Sequence, residues 1–257
     1  MTTRSLYNID LCKGTGMIQE TLLLLEEYSP EKSKDNFIKE VYVSNILVKS
    51  SEKRIKDIIH NVFYKRYVMQ DKYLPVYLLQ LHHYNVGLNQ LIQIMLIYIA
   101  RSNRIFFDFI THVYWLKSRE NTLVTSNDAK LFIIDAIKDG RIALPWSDGT
   151  KKRVASYIIA TLMDIKFLDK KYNCIPVFLS DKTANYLSHE LHFKGYSDEA
   201  IANAEEWKLF GYNRNDVTRH FERLAAQGHF IFQNAGDLIK ITWNYKNMKE
   251  LIDAIGQ

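Results

Sequence analysis

The sequence predicts a mainly α-helical protein, in which an N-terminal helical bundle is followed by winged helix-turn-helix-like modules with short β-hairpins. Only four prolines and ten glycines interrupt its 257 residues, which favours long helices over many short strands. Hydrophobic residues make up 47% of the chain, enough to bury a substantial core. Twice in the second half, two helical patterns are followed by two short β patterns around a polar turn. That order of elements is typical of a winged helix-turn-helix.

The N-terminal domain, predicted over residues 1–120, begins with two amphipathic helices. The first lies in "TGMIQETLLLLEEYS", whose apolar residues have helical spacing. Pro30 favours the first turn of the second helix, which we expect from Glu31 to about Val43 with Ser29 as its cap.

A third helix is predicted in "SSEKRIKDIIHNVFYKRYV", beginning at Ser50 or Ser51. Its apolar stripe comprises Ile55, Ile58, Ile59, Val62 and Phe63. Residues 49–66 hold six Lys or Arg against two acids, a local charge of +4. This predicts an electrostatic stripe for an anionic partner, or else a solvated basic helix face. The predicted contacts here are Lys53, Arg54, Lys56, Lys65 and Arg66, which we place largely outside the apolar stripe.

Three further helices complete the predicted bundle, in "KYLPVYLLQLHHY", "GLNQLIQIMLIYIARS" and "RIFFDFITHVYWLKS". They are apolar on most sides, as central members of a bundle are. The apolar run Leu91–Ala100 contains Gln93 and is too short to span a bilayer. Since the N-terminus is polar and Cys12 and Cys174 show no metal-binding or disulfide-framework spacing, we expect a soluble, cytoplasmic protein with reduced thiols and no membrane contact.

The first winged-helix-like module is predicted over residues 121–195. Its first helix, "SNDAKLFIIDAIKDG", has Ser126 as the expected cap and Gly140 at its end. The second, "PWSDGTKKRVASYIIATLMDI", is capped by Ser147 or Thr150. The segment "KFLDKKYNCIPVFL" predicts two short strands around a polar turn, and "SDKTANYLSHELHFKGYS" a linking helix.

The second module is predicted over residues 196–257. Two helices, "SDEAIANAEEWKLF" and "NRNDVTRHFERLAAQG", are expected to be capped by Ser197 and Asn213, with Gly228 ending the latter. A hairpin in "HFIFQNAGDLIKITW", turning at Asn234–Asp237, and a last helix in "NMKELIDAI" complete the chain.

Catalytic motifs are missing from the sequence. It contains no GxSxG, HExxH, Walker A or GxGxxG pattern, and "KGTG" before the first helix lacks the context of a phosphate loop. His82 and His83 are adjacent and so point about 100° apart on a helix. His189 and His192 share a helix face, but no third metal ligand is visible. We therefore predict a protein that is not an enzyme and needs no metal or cofactor.

The most informative cations are Lys151, Lys152 and Arg153, in the first turn of the second helix of the first module. Cations are unfavourable there because the helix dipole is positive at that end. Either the helix end is simply solvated, with Asp148 offsetting part of the charge, or the cations and the exposed N–H groups bind phosphate. The following turn adds Lys166, Lys170 and Lys171, where a wing would touch a nucleic-acid backbone. In the second module, Arg214, Arg219 and Arg223 lie along the second helix, diluted by nearby acids.

The distribution of hydrophobic and aromatic residues resembles the BrxA family, small proteins of BREX bacteriophage-defence loci, nearly from end to end. The segments that carry the resemblance are "TGMIQETLLLLEEY", "SSEKRIKDIIHNVFYKRY", "ARSNRIFFDFITHVYW", "WSDGTKKRVASYIIATLMDIKFLD" and the ending from "EEWKLFGYNRNDV" to "ELIDAI". The resemblance implies a mostly helical, partly NusB-like protein. It also implies a non-catalytic, nucleic-acid-binding component that acts beside the BREX methyltransferase, ATPase and phosphatase-like proteins.

Three functions are compatible with these features. The first is binding of double-stranded DNA through its phosphates, with little sequence preference. The second is RNA binding, which the NusB comparison suggests and which would require aromatic stacking and contacts to the 2′-hydroxyl. The third is a protein-interaction adaptor whose basic patches meet an acidic partner surface.

Overall fold

A computed structural model of the protein describes residues 6–48, 51–235 and 238–256. Within these ranges the chain is mainly helical, as predicted, and has one two-stranded antiparallel sheet. Two compact units are formed, one from Met1–Val76 with Tyr98–Pro176 and the other from Tyr77–Ile97 with Val177–Gln257. The division into domains at 1–120, 121–195 and 196–257 stays a prediction.

The helices follow one another closely along the first part of the chain. After a 3-10 helix at Asp10–Lys13 come α1 (Ile18–Glu27), α2 (Lys34–Ser44) and α3 (Glu52–Ile58), which a π-helix (Ile59–Val68) continues. Next come α4 (Leu74–His83), α5 (Leu88–Ser102) and α6 (Arg104–Phe109), then a π-helix (Ile110–Tyr114) and α7 (Trp115–Arg119). The helices α8 (Ser126–Lys138) and α9 (Asp148–Asp164) follow and pack against each other. No helix in the described ranges combines the length and apolar character that crossing a bilayer requires.

The start of α2 differs from the prediction. Ser33 caps this helix by accepting a hydrogen bond from the Asn36 N–H at 3.3 Å. Ser29 instead accepts from the Glu31 N–H within a turn that precedes the helix. Either serine of "SPEKS" could cap the helix by its residue type, and Ser33 has the extended backbone that a cap requires.

The caps of the following helices agree more closely with the sequence. Ser51, one of the two predicted residues, caps α3; the other, Ser50, lies outside the described residues. Thr125 rather than Ser126 caps α8, because the Asp128 carboxylate accepts from both its N–H and its hydroxyl. Ser147 caps α9 by accepting from the Thr150 N–H at 3.2 Å, as predicted.

Arg66 is a buried structural residue, which corrects its placement at a basic surface. Arg66 belongs to the π-helix that follows α3, and only 2% of the residue is exposed. It donates to the carbonyl oxygens of Gly14 and Gly16 at 2.7 and 3.1 Å. A buried guanidinium needs such partners, because desolvation of an unpaired charge costs several kcal/mol.

The loop that Arg66 binds is packed too tightly for side chains at its glycines. A Cβ at Gly14 would lie 2.4 Å from the Met17 sulfur, and one at Gly16 would lie 2.5 Å from the Asp164 Cβ. The Met17 N–H donates to the Asp164 carboxylate at 3.3 Å. Arg66 therefore fixes a loop that joins the start of α1 to the end of α9.

The hairpin predicted in "KFLDKKYNCIPVFL" is not formed as two strands, a second correction. Its ladder is a single bridge between Leu168 and Cys174, flanked by a hydrogen bond from Ile175 N–H to Phe167 oxygen. The Tyr114 hydroxyl lies 3.1 and 3.2 Å from the Phe167 and Ile175 carbonyl oxygens. Pro176 then follows without an N–H to extend the pairing. The result is a short loop closed by the bridge between Leu168 and Cys174, which we call the wing-like loop.

The linking helix α10 (Asp181–Phe193) comes before the second module. The first predicted helix of that module is formed as two pieces, α11 (Asp198–Ala202) and a 3-10 helix (Glu205–Phe210). The elements α12 (Arg214–Ala226), β1 (Phe230–Ala235), β2 (Leu238–Trp243) and α13 (Met248–Gly256) then follow in the predicted order. Ser197 and Asn213 cap α11 and α12 as predicted. The hairpin is confirmed, with pairs from Phe230↔Trp243 to Ala235↔Leu238, although Gly236 and Asp237 of its turn lie outside the described residues.

We expect the Arg66→Ala variant to lose about 3 kcal/mol of unfolding free energy, because it leaves two buried carbonyl groups without a donor and opens a cavity. Urea titration of the purified protein measures this loss. The matched control is Lys65→Ala, which removes only the half-exposed ion pair to Asp10 at 2.5 Å and is expected to cost less than about 1 kcal/mol. Equal losses from the two variants would contradict the structural role of Arg66.

Candidate nucleic-acid interface

The first turn of α9 presents cations at the surface, as the sequence predicts. The helix buries one apolar face, so Lys152 and Arg153 fall on its exposed side. Lys151 is instead paired with Asp148 at 2.6 Å, and this ammonium group lowers the pKa of the Asp148 carboxyl. Lys152 has no carboxylate partner within the described ranges.

Arg153 lies beside the thiol of Cys12. Burial raises the pKa of this thiol, and the guanidinium partly opposes the shift. Arg153 thus connects α9 to the 3-10 helix that precedes the loop held by Arg66, and the exposed part of its side chain remains accessible.

A groove between α8 and α9 brings a further cation to this place. It has a volume of about 260 Å³ and is lined by Lys130, Ile134, Asp148, Lys151 and Lys152. Lys130 comes from α8 and was not among the predicted contacts. We call the four cations Lys130, Lys151, Lys152 and Arg153 the α9 cluster.

The wing-like loop places a second group of cations beyond the other end of α9. Lys170 and Lys171 are exposed at its tip, which the Asp169 carboxylate fixes by accepting from the Lys171 and Asn173 N–H groups. Lys166 is exposed just after the helix, with a φ of 61°. From Lys152 to the end of α9 the helix rises about 18 Å, so cations flank both ends of one exposed helix.

The basic residues of α3 and its π-helical continuation are less available. Lys56 pairs with Glu52 at 2.7 Å and Lys65 with Asp10 at 2.5 Å. Arg54 donates to the Lys13 carbonyl oxygen. Lys53 is exposed, and none of the described carboxylates binds it. With Arg66 buried, the electrostatic stripe predicted over residues 49–66 is reduced mainly to exposed lysines with weak surface pairs.

The cations of α12 each face a carboxylate. Arg214 pairs with Glu199, Arg219 with Asp216 at 2.6 Å, and Arg223 with Asp181 at 2.6 Å. These pairs balance the charge of the surface that the sequence predicted as the second contact region.

Of the histidines singled out in the sequence, His189 and His192 belong to an aromatic cluster. His189 is fully buried, and its Nδ1 lies 2.9 Å from the Asn185 carbonyl oxygen. Its ring meets Trp243 edge-on at 4.7 Å, while His192 stacks on the same indole at 4.4 Å. Burial lowers the pKa of His189 to about 4 and, with the nearby Arg223 guanidinium, that of His220 to about 4. No group of three or more His, Cys, Asp or Glu suited to a metal occurs in the part of the chain that the structure describes.

Comparison with known proteins gives a family and a fold. The model of the BrxA family matches residues 5–190. No curated protein matches the chain. A crystal structure of an uncharacterized protein from Magnetospirillum magneticum is similar, with 17% sequence identity and a TM-score of 0.57. The similarity covers 73% of this chain and 94% of that one, and at this identity it shows the fold alone.

The buried histidines predict a pH-dependent stability. The folded pKa of His189, about 4, lies below the unfolded value of 6.5, so its contribution is complete above pH 6.5 and is lost as the pH falls towards 4. Between pH 6.5 and 5 we expect a loss of about 2 kcal/mol from this residue. Urea titrations at pH 7, 6 and 5 measure it, with His189→Phe as the comparison, because the phenyl ring does not titrate. The same pH dependence in both proteins would contradict the assignment.

Proposed function

The chain belongs to the BrxA family, the family that the sequence resembles, and on that premise we propose that it binds double-stranded DNA through backbone phosphates as a non-catalytic component of a BREX phage-defence system. The observation that carries the proposal is the α9 cluster. Lys130 of α8 and Lys151 and Lys152 of α9 line one groove at the first turn of α9, and Asp148 is the acid in the same lining. Arg153 is exposed next to them in the chain. A phosphate bound at this place would replace Asp148 as the partner of Lys151.

The length of α9 suits a helix that lies across or along a major groove. Its 17 residues give about 25 Å, roughly twice the ~12 Å width of that groove. Cations at both ends of the helix would therefore reach phosphates on both sides. The exposed positions between the ends include Ser156 and the partly exposed Ala160, which allow close approach of the backbone.

The same face supports low sequence preference. Base readout in the major groove depends mainly on Arg, Lys, Asn or Gln near base edges. Beyond Arg153, the outer side of α9 carries Ser156, Tyr157, Ala160 and Met163 before Asp164. The charged side chains are concentrated at the helix ends, where phosphates are the expected partners.

RNA binding has less support from the described residues. RNA binding would require aromatic rings that stack on bases, but near the basic residues of α3 the ring of Tyr67 is buried and that of Tyr64 packs against Tyr28 and Phe37. Competition between duplex DNA and single-stranded RNA of equal length distinguishes the two functions. We also propose that the protein acts in the cytoplasm beside the BREX methyltransferase, ATPase and phosphatase-like proteins.

The experiment that tests the proposal is duplex-DNA binding by the variant with Glu in place of Lys151, Lys152 and Arg153. We expect its affinity to fall about 100-fold at low salt on every sequence tested, since three phosphate contacts become repulsive. For the wild type, six phosphate contacts would give a slope near −5 in log affinity against log salt, roughly −0.9 for each contact.

A matched control has Glu in place of Lys39, Lys208 and Lys249, which are exposed lysines outside the predicted contacts. It changes the net charge by the same amount and is expected to keep most of the affinity. If the control loses as much affinity as the α9 variant, net charge alone accounts for binding. If the α9 variant binds like the wild type, the site lies elsewhere.

A further inference from the structure

Ile134 is the one aliphatic residue among the described residues that line the groove between α8 and α9, and it forms a floor that phosphate binding does not use. It is 36% exposed. Leu131 lies three residues earlier, on the same side of α8, and is 52% exposed. Leu131 does not line the groove itself, but with Ile134 it forms a small exposed aliphatic surface beside the lysines that do.

The size of the groove limits what can occupy it. Its volume of about 260 Å³ is below the roughly 300–1,000 Å³ of small-molecule sites. One or two side chains of a macromolecule fit this space better than a cofactor does. Nucleic-acid bases are usually held by aromatic or arginine side chains, whereas this floor is aliphatic.

The rim of the groove specifies the charge of the occupant. Lys130, Lys151 and Lys152 surround the floor, and the one acid there, Asp148, is already bound to Lys151. Lys130 and Lys152 have no carboxylate partner among the described residues. An occupant with an apolar side chain flanked by carboxylates would complement both the floor and the rim.

We propose that the α8–α9 groove binds an acidic segment of a protein partner, which inserts an apolar anchor residue against Ile134 and Leu131 and places carboxylates on the three lysines. This binding does not depend on the proposed DNA binding, but both use Lys151 and Lys152. A partner seated in the groove therefore excludes DNA from the α9 cluster, and release of the partner frees it.

The test compares two synthetic peptides of equal length and equal net negative charge by fluorescence anisotropy with the full chain. One has leucines spaced i, i+3 and i+4 among glutamates; in the other these leucines are serines. We expect the leucine peptide to bind about tenfold more tightly, the ratio that burial of one leucine supplies. It is also expected to displace duplex DNA at lower concentration than the serine peptide does.

Variants of the floor separate this site from the DNA site. Ile134→Ser and, independently, Leu131→Ser are expected to abolish the preference for the leucine peptide and to leave the affinity for duplex DNA within about twofold. Val43→Ser is the control, because Val43 is 83% exposed on α2 and does not line the groove. This variant is expected to keep both the preference for the leucine peptide and the affinity for duplex DNA.

Two results would overturn the inference. Equal binding of the two peptides would show a surface that recognises charge alone. A loss of DNA affinity in Ile134→Ser as large as its loss of peptide affinity would assign the floor to the nucleic acid. A retained peptide preference in a protein that binds no DNA would instead refute the proposed function and leave this inference standing.

Discussion

The buried guanidinium of Arg66 is the contact on which the organisation of the first unit depends. It satisfies two carbonyl groups of a loop whose glycines leave no room for side chains, and that loop packs against Asp164 at the end of α9. The neighbouring 3-10 helix contacts α9 as well, with Cys12 beside Arg153. Because a buried charge tolerates few alternative partners, this arrangement fixes the position of α9 in the unit. The helix that exposes these cations is therefore packed against the loop that Arg66 binds.

Charge pairing, more than the number of cations, distinguishes the surfaces of this protein. The arginines of α12 face Glu199, Asp216 and Asp181, so their positive charge is largely balanced. Around α9, Lys152 has no such partner within the described ranges, and Lys130 adds to it from α8. A phosphate gains most where the cations are not already neutralised, because displacing a carboxylate costs part of the attraction. The first unit is thus the better candidate for nucleic-acid contact.

Much of the fold follows from local sequence signals, since Ser147, Ser197 and Asn213 act as caps where their side chains predict it. The burial of Arg66 was also within reach of the sequence: it lies seven residues after Ile59 and three after Phe63, which places it on the apolar stripe. Because arginine is charged, we instead placed Arg66 with the exposed cations. In contrast, Lys130 joins the α9 cluster only through the packing of α8 on α9, and the Tyr114 hydroxyl reaches the wing-like loop from a part of the chain distant in sequence. Such contacts between elements cannot be read from spacing along one element.

In the proposed complex a phosphate takes the place of Asp148 at the first turn of α9. The most direct test is the salt dependence of duplex-DNA affinity for Asp148→Asn beside the wild type, because an unfolded or distorted protein does not gain affinity. We expect the variant to bind several-fold more tightly at low salt with an unchanged slope, because the same phosphate contacts form in both complexes and only the cost of displacing Asp148 from Lys151 is removed. An unchanged or weaker affinity would contradict the replacement of Asp148 by phosphate.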